Sequence, residues 1–394
     1  MTSVTPLREQ HRQEAQRALG DRDPAADSDR PGAATGSVGS TPEPEYLPWG
    51  PSDGVIACEI LATLGSVERE YAHLRRDRGR VDESARGTIR VEGADAADFL
   101  DRMLTQKLAG FSAGDAAASF LVDRKGRIVG DLLLAGTAEG IFIDVDIHQA
   151  QQVVDVLDGF LFAEDVQLTN ATEQWHRLSV HGPAAASLFE HLEDMRTMTL
   201  EFDGRPVHVV RRDRIGAAGF ELIVRCEDVV PVWEALDCGT VGWYAFNMAR
   251  IEAGTPICNI DFGPGSLPHE TTLVPEYVSF TKGCYPGQEI VARMQHLGQP
   301  SQILRGLELQ GDALPVSGSQ VMSVDSDGAM GQPIGVVTSS ALAPMLGSAP
   351  VAMAMLRTKK SEPGTVVRIH DEGDPCDAIT GALPAWTEGD ESSS

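Results

Sequence analysis

The stretch from Gly87 to Phe162 constrains the fold of this chain more than any other. "GTIRVEG" alternates apolar and polar side chains at the two-residue period of a strand. "DAADFLDRMLTQKL" then switches to the helical period, with Ala97, Leu100, Met103 and Leu104 on one face and Asp95 as N-cap. "AAASFLVDRKGRIVGDLLLAG" reads as two strands around a turn at Asp123 to Gly126, "GIFIDVD" as a further strand and "HQAQQVVDVLDGFLF" as a second helix. Strand, helix, hairpin, strand, helix is the order of a ferredoxin-like α+β unit.

A similar order recurs without a convincing sequence repeat. "WHRLSVHG" is a strand, "PAAASLFEHL" a helix with Pro183 near its first turn, and "RPVHVVRRDRIGAAGFELIVRC" a strand pair. "EDVVPVWEALDCG" and "WYAFNMARIEAG" read as helices. Helical spacing also places Tyr71 and Leu74 of "EYAHLRRDRGRVDE" together. After Pro300 the pattern changes to short strands with Gly and Pro turns, the mark of a small β-barrel or sandwich. Residues 1 to 45 are rich in Ala, Gly, Pro, Ser, Asp and Arg and include no aromatic residue before Tyr46. This composition predicts a disordered arm, because so little apolar surface does not offset the entropy of ordering. The C-terminal "TEGDESSS" reads the same way. The expected division is an arm (1–45), a two-subdomain body (46–300) split near 165–175, a barrel (301–387) and a tail (388–394).

The net charge of −26, with only five lysines among 32 basic residues, argues against direct nucleic-acid binding, which needs clustered positive charge. No apolar run approaches the roughly 20 residues that span a bilayer, and the N-terminus lacks a signal-peptide apolar core. The six cysteines form no Cys-x-x-Cys pair, so a zinc ribbon or thioredoxin-like site is unsupported and a reducing cytoplasm is the expected location. No metal site is expected. There is no P-loop, "FGPGSLP" has Pro268 where a phosphate loop needs its last glycine, and "HETTL" has no second histidine at the zincin spacing. "NAT" at Asn170 reads as a chance sequon.

One short segment stands apart. In "FTKGCYPGQEIVAR" Cys284 lies between Gly283 and Gly287, with Pro286 suited to the first turn of a helix. A helix starting there, with Lys282 and Arg293 folded back, would lower the thiol pKa into the ~3.5–7.5 range of reactive cysteines. The residues alone do not choose between a reactive or ligand-binding thiol and a tight structural turn.

"KGCYPGQEIVAR" resembles the signature K-G-C-[FY]-x-G-Q-E of the YgfZ family, folate-binding proteins related to the glycine-cleavage T-protein, an aminomethyltransferase. "IRVEGADAADFLDRMLTQKL", "FLVDRKGRIVGDLLL", "LSVHGPAAASLF", "GAAGFELIV" and "ARIEAGTPICNID" follow in the family's order, so that the likeness covers roughly residues 65 to 386. Gln106 stands where the family more often has Asn.

The resemblance implies two ferredoxin-like subdomains and a β-barrel around a central cavity that holds tetrahydrofolate. It places Asp131, Glu221 and Arg250 at that site: carboxylates accept N–H donors from a pterin edge, and a guanidinium forks onto the glutamyl carboxylate. It adds Gln288, Glu289 and Arg293 as cofactor-binding residues, and Cys284, Lys282 and Asp131 as catalytic ones. Without it, Glu221 reads as an exposed strand residue, and Asp131 and Arg250 as structural ion pairs. The cysteine-bearing signature implies the YgfZ side: support of iron–sulfur cluster assembly or repair, with iron–sulfur enzymes or assembly proteins as partners and an indirect effect on tRNA modification. The alternatives are a folate-dependent aminomethyltransferase or demethylase, for which Asp131 is the retained feature, and a non-catalytic scaffold for a protein partner.

Overall fold

The computed structural model describes residues 2–3, 5–20, 43–51, 56–189, 192–370 and 375–384. The tail 388–394 and residues 21–42 of the expected arm lie outside them. The chain opens with β1 (Thr2–Ser3) and α1 (Arg8–Gly20), followed by β2 (Glu45–Trp49) and β3 (Ala57–Thr63), and β1, β3 and β2 form one small sheet. Next come α2 (Val67–Arg76), β4 (Gly79–Asp82), β5 (Arg86–Glu92), α3 (Ala96–Met103) and the hairpin of β6 (Ala116–Val122) and β7 (Ile128–Thr137). β8 (Gly140–Asp146), α4 (Ala150–Asp158) and β9 (Gln167–Asn170) complete a five-stranded antiparallel sheet in the order β6-β7-β8-β5-β9. One face of this sheet packs on α3 and α4 through Ile89, Phe99, Leu100, Leu132, Leu134 and Leu157.

The second sheet is built from β10 (Trp175–His181), β11 (Thr197–Phe202), β12 (Arg205–Arg211), β13 (Gly219–Arg225) and, after α5 (Val229–Ala235), β14 (Gly239–Val241). Its order is β11-β12-β13-β10-β4-β14. β4 is thus made before the first sheet yet pairs with β10, so the second unit is discontinuous in sequence and the two units are not cleanly separated by a split near 170. "PAAASLF" forms only a short 3₁₀ turn at Ala185–Ser187 where a helix was expected. α6 (Trp243–Glu252), α7 (Val274–Tyr277) and α8 (Gln288–Leu297) lead to a closed barrel of β15 (Gln302–Leu309), β16 (Gln320–Val324), β17 (Met330–Ala343), β18 (Ala349–Arg357), β19 (Val366–His370) and β20 (Cys376–Gly381). The α+β body and the C-terminal β-barrel are as expected.

Both sheets are covered on both faces, which explains near-continuous apolar runs such as "DLLLAG" and "FELIV". Along β7, Leu132 and Leu134 face the helices, whereas Leu133 and Ala135 meet Trp175, Val210 and Ile223 of the second sheet. Along β13, Phe220, Leu222 and Val224 face α5, and Ile223 faces the first sheet. The period-two rule therefore turns Asp131 and Glu221 toward the space between the sheets.

The expected arm is in part a folded strap. Leu7, His11 and Ala15 are fully buried against the second unit. Glu14 accepts from the Trp233 indole (2.9 Å) and from Arg80 (2.7 Å), and also from the Thr240 hydroxyl. Thr5 donates to Asp82 at 2.5 Å, and His11 shares a 3.0 Å hydrogen bond with Tyr46. Composition missed this because the strap docks through a few small contacts and polar groups whose partners lie far along the chain.

Candidate functional site

Buried charge marks the space between the sheets. β5 supplies Arg86 and Thr88, β7 Asp131, β8 Asp144, β10 Arg177, Ser179 and His181, and β13 Glu221. The β12–β13 loop supplies Arg212 and Arg214, the β4–β5 turn Glu83, and α7 Tyr277. Charged groups are rarely buried unless paired, so each needs its partners identified.

Arg86 grips Asp144 at 2.8 and 3.1 Å, and Arg177 donates to Thr88 at 3.0 Å. Against the penalty of burial, the Arg86 and Arg177 charges hold Asp144 below its ordinary carboxylate pKa. Arg212 donates to the Tyr277 hydroxyl, which bonds in turn to Asp131. Burial raises the Asp131 carboxyl in spite of Arg212 and Arg86. Asp131, Arg86 and Arg212 lie deep in the protein yet are only half-buried by surface area.

At the other end, Arg214 bonds to Glu83, and its Nε lies 2.8 Å from Glu221 Oε1. Ser179 donates to Glu83 at 2.7 Å and shares a 2.9 Å bond with His181 Nε2. Burial, then the Arg214 charge, hold the His181 imidazole well below the usual histidine range, so it is neutral near pH 7. Burial pushes Glu221 up to about 7, opposed by Arg214. Glu83, His181 and Glu221 bring one ligand atom each within 4.8 Å of one another, and the Arg214 guanidinium supplies the cation there. Four buried atoms of the cluster lack a hydrogen-bond partner among the described residues: Arg177 Nη2, His181 Nδ1, Arg214 Nε and Glu221 Oε1. Arg214 Nε and Glu221 Oε1 are nonetheless ion-paired with each other at 2.8 Å, so that Arg177 Nη2 and His181 Nδ1 are the two with neither kind of contact, and a natural protein leaves few such groups unsatisfied.

Of the expected site residues, Asp131 and Glu221 meet in this cluster and the others do not. Arg250 is fully buried at the junction of α6 and the barrel, bonded to Asp261, Asn247 (2.9 Å), the Thr255 carbonyl (3.2 Å) and Ser339 (2.7 Å). It has no exposed face for a glutamyl carboxylate and acts as an inter-domain clamp. Arg250→Ala should therefore destabilise the fold by roughly 3–5 kcal/mol, through the unpaired buried Asp261. Once allowance is made for folding, binding at the cluster should be preserved; urea melts and calorimetry on the folded fraction separate the two effects.

Lys282 is not catalytic in position. Its side chain is 1% exposed, and its ammonium caps the C-terminal end of α3 through the carbonyls of Asp101, Leu104 (2.8 Å) and Gln106 (2.8 Å). Gln288 bonds to the Gly283 carbonyl at 3.2 Å, and Glu289 and Arg293 form a solvent-exposed i,i+4 pair at 2.9 Å. None of the three joins the cluster, because the start of α8 packs on the tip of the β6–β7 hairpin. Gly287 (φ +80°) is required there, since a Cβ would lie 2.2 Å from the Asp123 carbonyl oxygen. Cys284 itself is exposed on this turn. Neither Lys282 nor Arg293 turns its charge toward the sulfur, contrary to the folded-back cations expected.

Sequence reasoning missed Glu83, Arg212, Arg214, His181, Tyr277 and the Arg86–Asp144 pair. For His181 and Asp144 the signal was the alternation of polar residues in "RLSVH" and "IDVD". In one sequence such alternation reads as a solvated strand face, and only the second sheet makes it an interior one.

The comparisons with known proteins agree with this architecture. The sequence matches the GCVT N-terminal domain over residues 30–281 and the glycine cleavage T-protein C-terminal barrel domain over residues 303–386. It is 28% identical to a probable aminomethyltransferase of Haloarcula marismortui, covering 83% of this chain and 92% of that one. It is 29% identical to an aminomethyltransferase of Streptomyces coelicolor, covering 82% and 90%. The crystal structure of the glycine cleavage system aminomethyltransferase T from Bartonella henselae superposes with a TM-score of 0.74 at 25% identity, over 83% of this chain and 91% of that one. With both domain models matched in order, and the paired sheets and barrel reproduced in a solved relative, the chain belongs to the glycine cleavage T-protein family.

Proposed function

We propose that this protein binds tetrahydrofolate in the polar cluster between its two sheets and transfers an aminomethyl or related one-carbon group there. The observation that carries this reading is the buried charged cluster between the sheets, in which Arg177 Nη2 and His181 Nδ1 have no hydrogen-bond partner and Arg214 Nε meets Glu221 Oε1 without an aligned hydrogen bond. The donor set fits the cofactor. A pterin presents an amino-pyrimidinone edge of N–H donors, suited to the Glu221 carboxylate and to His181 Nδ1, which is left as an acceptor because Ser179 donates to Glu83 and the His181 proton sits on Nε2, and carbonyl and ring-nitrogen acceptors suited to Arg177. When bound, tetrahydrofolate accepts the one-carbon unit.

The chain's own residues have distinct tasks. Glu221 orients by accepting hydrogen bonds. Asp131, with its pKa raised by burial, holds or releases a proton at its carboxyl, and Tyr277 fixes that carboxyl by its hydrogen bond. Leu133, Phe142, Trp175 and Ile223 wall the space from bulk water, which strengthens each polar contact inside it. The related aminomethyltransferases support this reaction class.

A second reading, YgfZ-like support of iron–sulfur enzymes, is favoured by the exposure of Cys284 in its signature turn. Cys58, Cys258 and Cys376 are buried and Cys226 and Cys238 half-buried, whereas Cys284 alone is exposed. All six cysteines are free thiols, which suits a reducing compartment. No helix among the described residues is long and apolar enough to cross a membrane.

Calorimetry with tetrahydrofolate, followed by an aminomethyl-transfer assay with lipoylated carrier protein, tests the proposal. Saturable binding that Glu221→Ala weakens roughly ten- to a hundredfold is expected. Absence of binding refutes it. Transfer that survives Cys284→Ser favours the first reading. Binding without transfer, together with loss of an iron–sulfur enzyme's activity in cells carrying Cys284→Ser, favours the second.

A further inference from the structure

Arg214 occupies the site in an unusual way. Its guanidinium reaches both carboxylates at the Glu221 end, bonding to Glu83 and approaching Glu221 Oε1 at 2.8 Å. It lies over the Phe246 ring, 4.7 Å from the centroid, with His181 on the same ring at 5.3 Å. Yet the contact with Glu221 is close without being aligned, so that both Arg214 Nε and Glu221 Oε1 remain without a hydrogen bond. A flat group with two parallel N–H donors, resting on Phe246 and facing Glu221, would be held better than the arginine is. The amino-pyrimidinone edge of a reduced pterin is such a group, since its N–C–N unit is itself a cyclic guanidine.

We infer that Arg214 holds the seat of the ligand's donor edge in the unliganded protein, and that binding a 2-amino-4-oxo bicyclic ligand displaces its guanidinium from Glu221. This inference rests on the folate reading of the site. The displacement needs side-chain rotation only. The loop that carries Arg214 is fixed by the Gly219 N–H donating to Asp213 (2.9 Å), by the buried Ile215 and by Arg75 on the Ile215 carbonyl (2.5 Å). Arg214 itself keeps 13% of its side chain open to solvent, which gives the guanidinium an exit. Glu83, bonded also to Ser179, keeps a partner when Arg214 leaves. The apparent affinity for the ligand is then the intrinsic affinity reduced by the fraction of molecules in which the seat is open.

The test uses the full chain, tetrahydrofolate and methylguanidinium. Arg214→Ala should bind tetrahydrofolate several-fold to tenfold more tightly than the parent, because the internal competitor is gone. Methylguanidinium at millimolar concentration should raise the dissociation constant of Arg214→Ala competitively and leave that of the parent unchanged. If Arg214 instead contacts the ligand, both signs reverse: the variant binds more weakly and methylguanidinium restores it, which overturns the inference. Equal affinity in parent and variant, with no methylguanidinium effect, also overturns it. Should Arg214→Ala not fold, Arg214→Lys serves. A lysine lacks the planar fork and should give a smaller tightening, whereas weakening or equality overturns the inference. Failure of both parent and variant to bind tetrahydrofolate would refute the folate reading itself, an outcome distinct from failure of the Arg214 inference.

Discussion

Deleting residues 1–17 is expected to lower the melting temperature by on the order of 10 °C, although their composition reads as a dispensable arm. Leu7 is fully buried among Leu178, Val180, Phe220 and Trp233, and removing a leucine from such a site costs roughly 2–5 kcal/mol. The deletion also removes Glu14 from Arg80, which is 11% exposed by side chain and stacks on Trp233 at 4.3 Å. An arginine left buried without its carboxylate costs roughly 3–5 kcal/mol more. Two single changes separate these contributions. Leu7→Ala carries the apolar part, and Glu14→Gln, which still accepts from the indole, carries most of the charge part. A thermal melt of the truncated chain unchanged within about 3 °C would show that the strap does not contribute to the fold.

The strap and most of the buried polar cluster were hidden from the sequence for related reasons. Local periodicity found the elements whose partners are near in sequence. The β6–β7 hairpin, α3 and α4 were legible because apolar residues repeat at 2.0 or 3.6 and turn residues mark their ends. α1 was not, because its burial depends on Trp233, Thr240 and Arg80, at least sixty residues away. The entry of β4 into the second sheet has the same cause: nothing in "GRVD" encodes which strand it joins.

The site follows the same rule. Asp131 and Glu221 were reached through family likeness, and the alternation of β7 and β13 turns both toward the space between the sheets. Arg250 shared the same likeness but has its nitrogens engaged by Asn247, Thr255, Asp261 and Ser339, so position in a motif did not reveal accessibility. Lys282 shows the same limit. A lysine beside a conspicuous cysteine looks chemical, whereas three carbonyl partners make it a helix cap. Arg212 and Arg214 sit in a loop whose sequence, "RRDRIG", reads as ordinary solvated charge. Their importance appears only when Tyr277 and the two glutamates are seen beneath them.

The second large effect concerns pH. Glu221 has its pKa pushed up to about 7 by burial, against the pull of Arg214. Only the ionised carboxylate accepts two hydrogen bonds from a ligand's donor edge, so tetrahydrofolate affinity should fall as pH drops through 7. The decline should approach about tenfold per unit below the pKa, or roughly fiftyfold between pH 7 and pH 5. Stability of the unliganded protein should run the other way. A carboxyl with its native pKa above its unfolded value keeps a proton that the unfolded chain has already released. Its contribution is therefore present below about pH 4.5 and is lost as pH rises toward 7, by up to roughly 3 kcal/mol. Glu221→Gln cannot titrate, so it should bind weakly at every pH and flatten both profiles. The checks are isothermal calorimetry from pH 5 to 8 and urea melts over the same range, on parent and variant. A parent dissociation constant constant across that range would show that Glu221 is already ionised at pH 5 or does not touch the ligand. Opposite slopes for affinity and stability, both abolished by Glu221→Gln, would place the same proton in both processes.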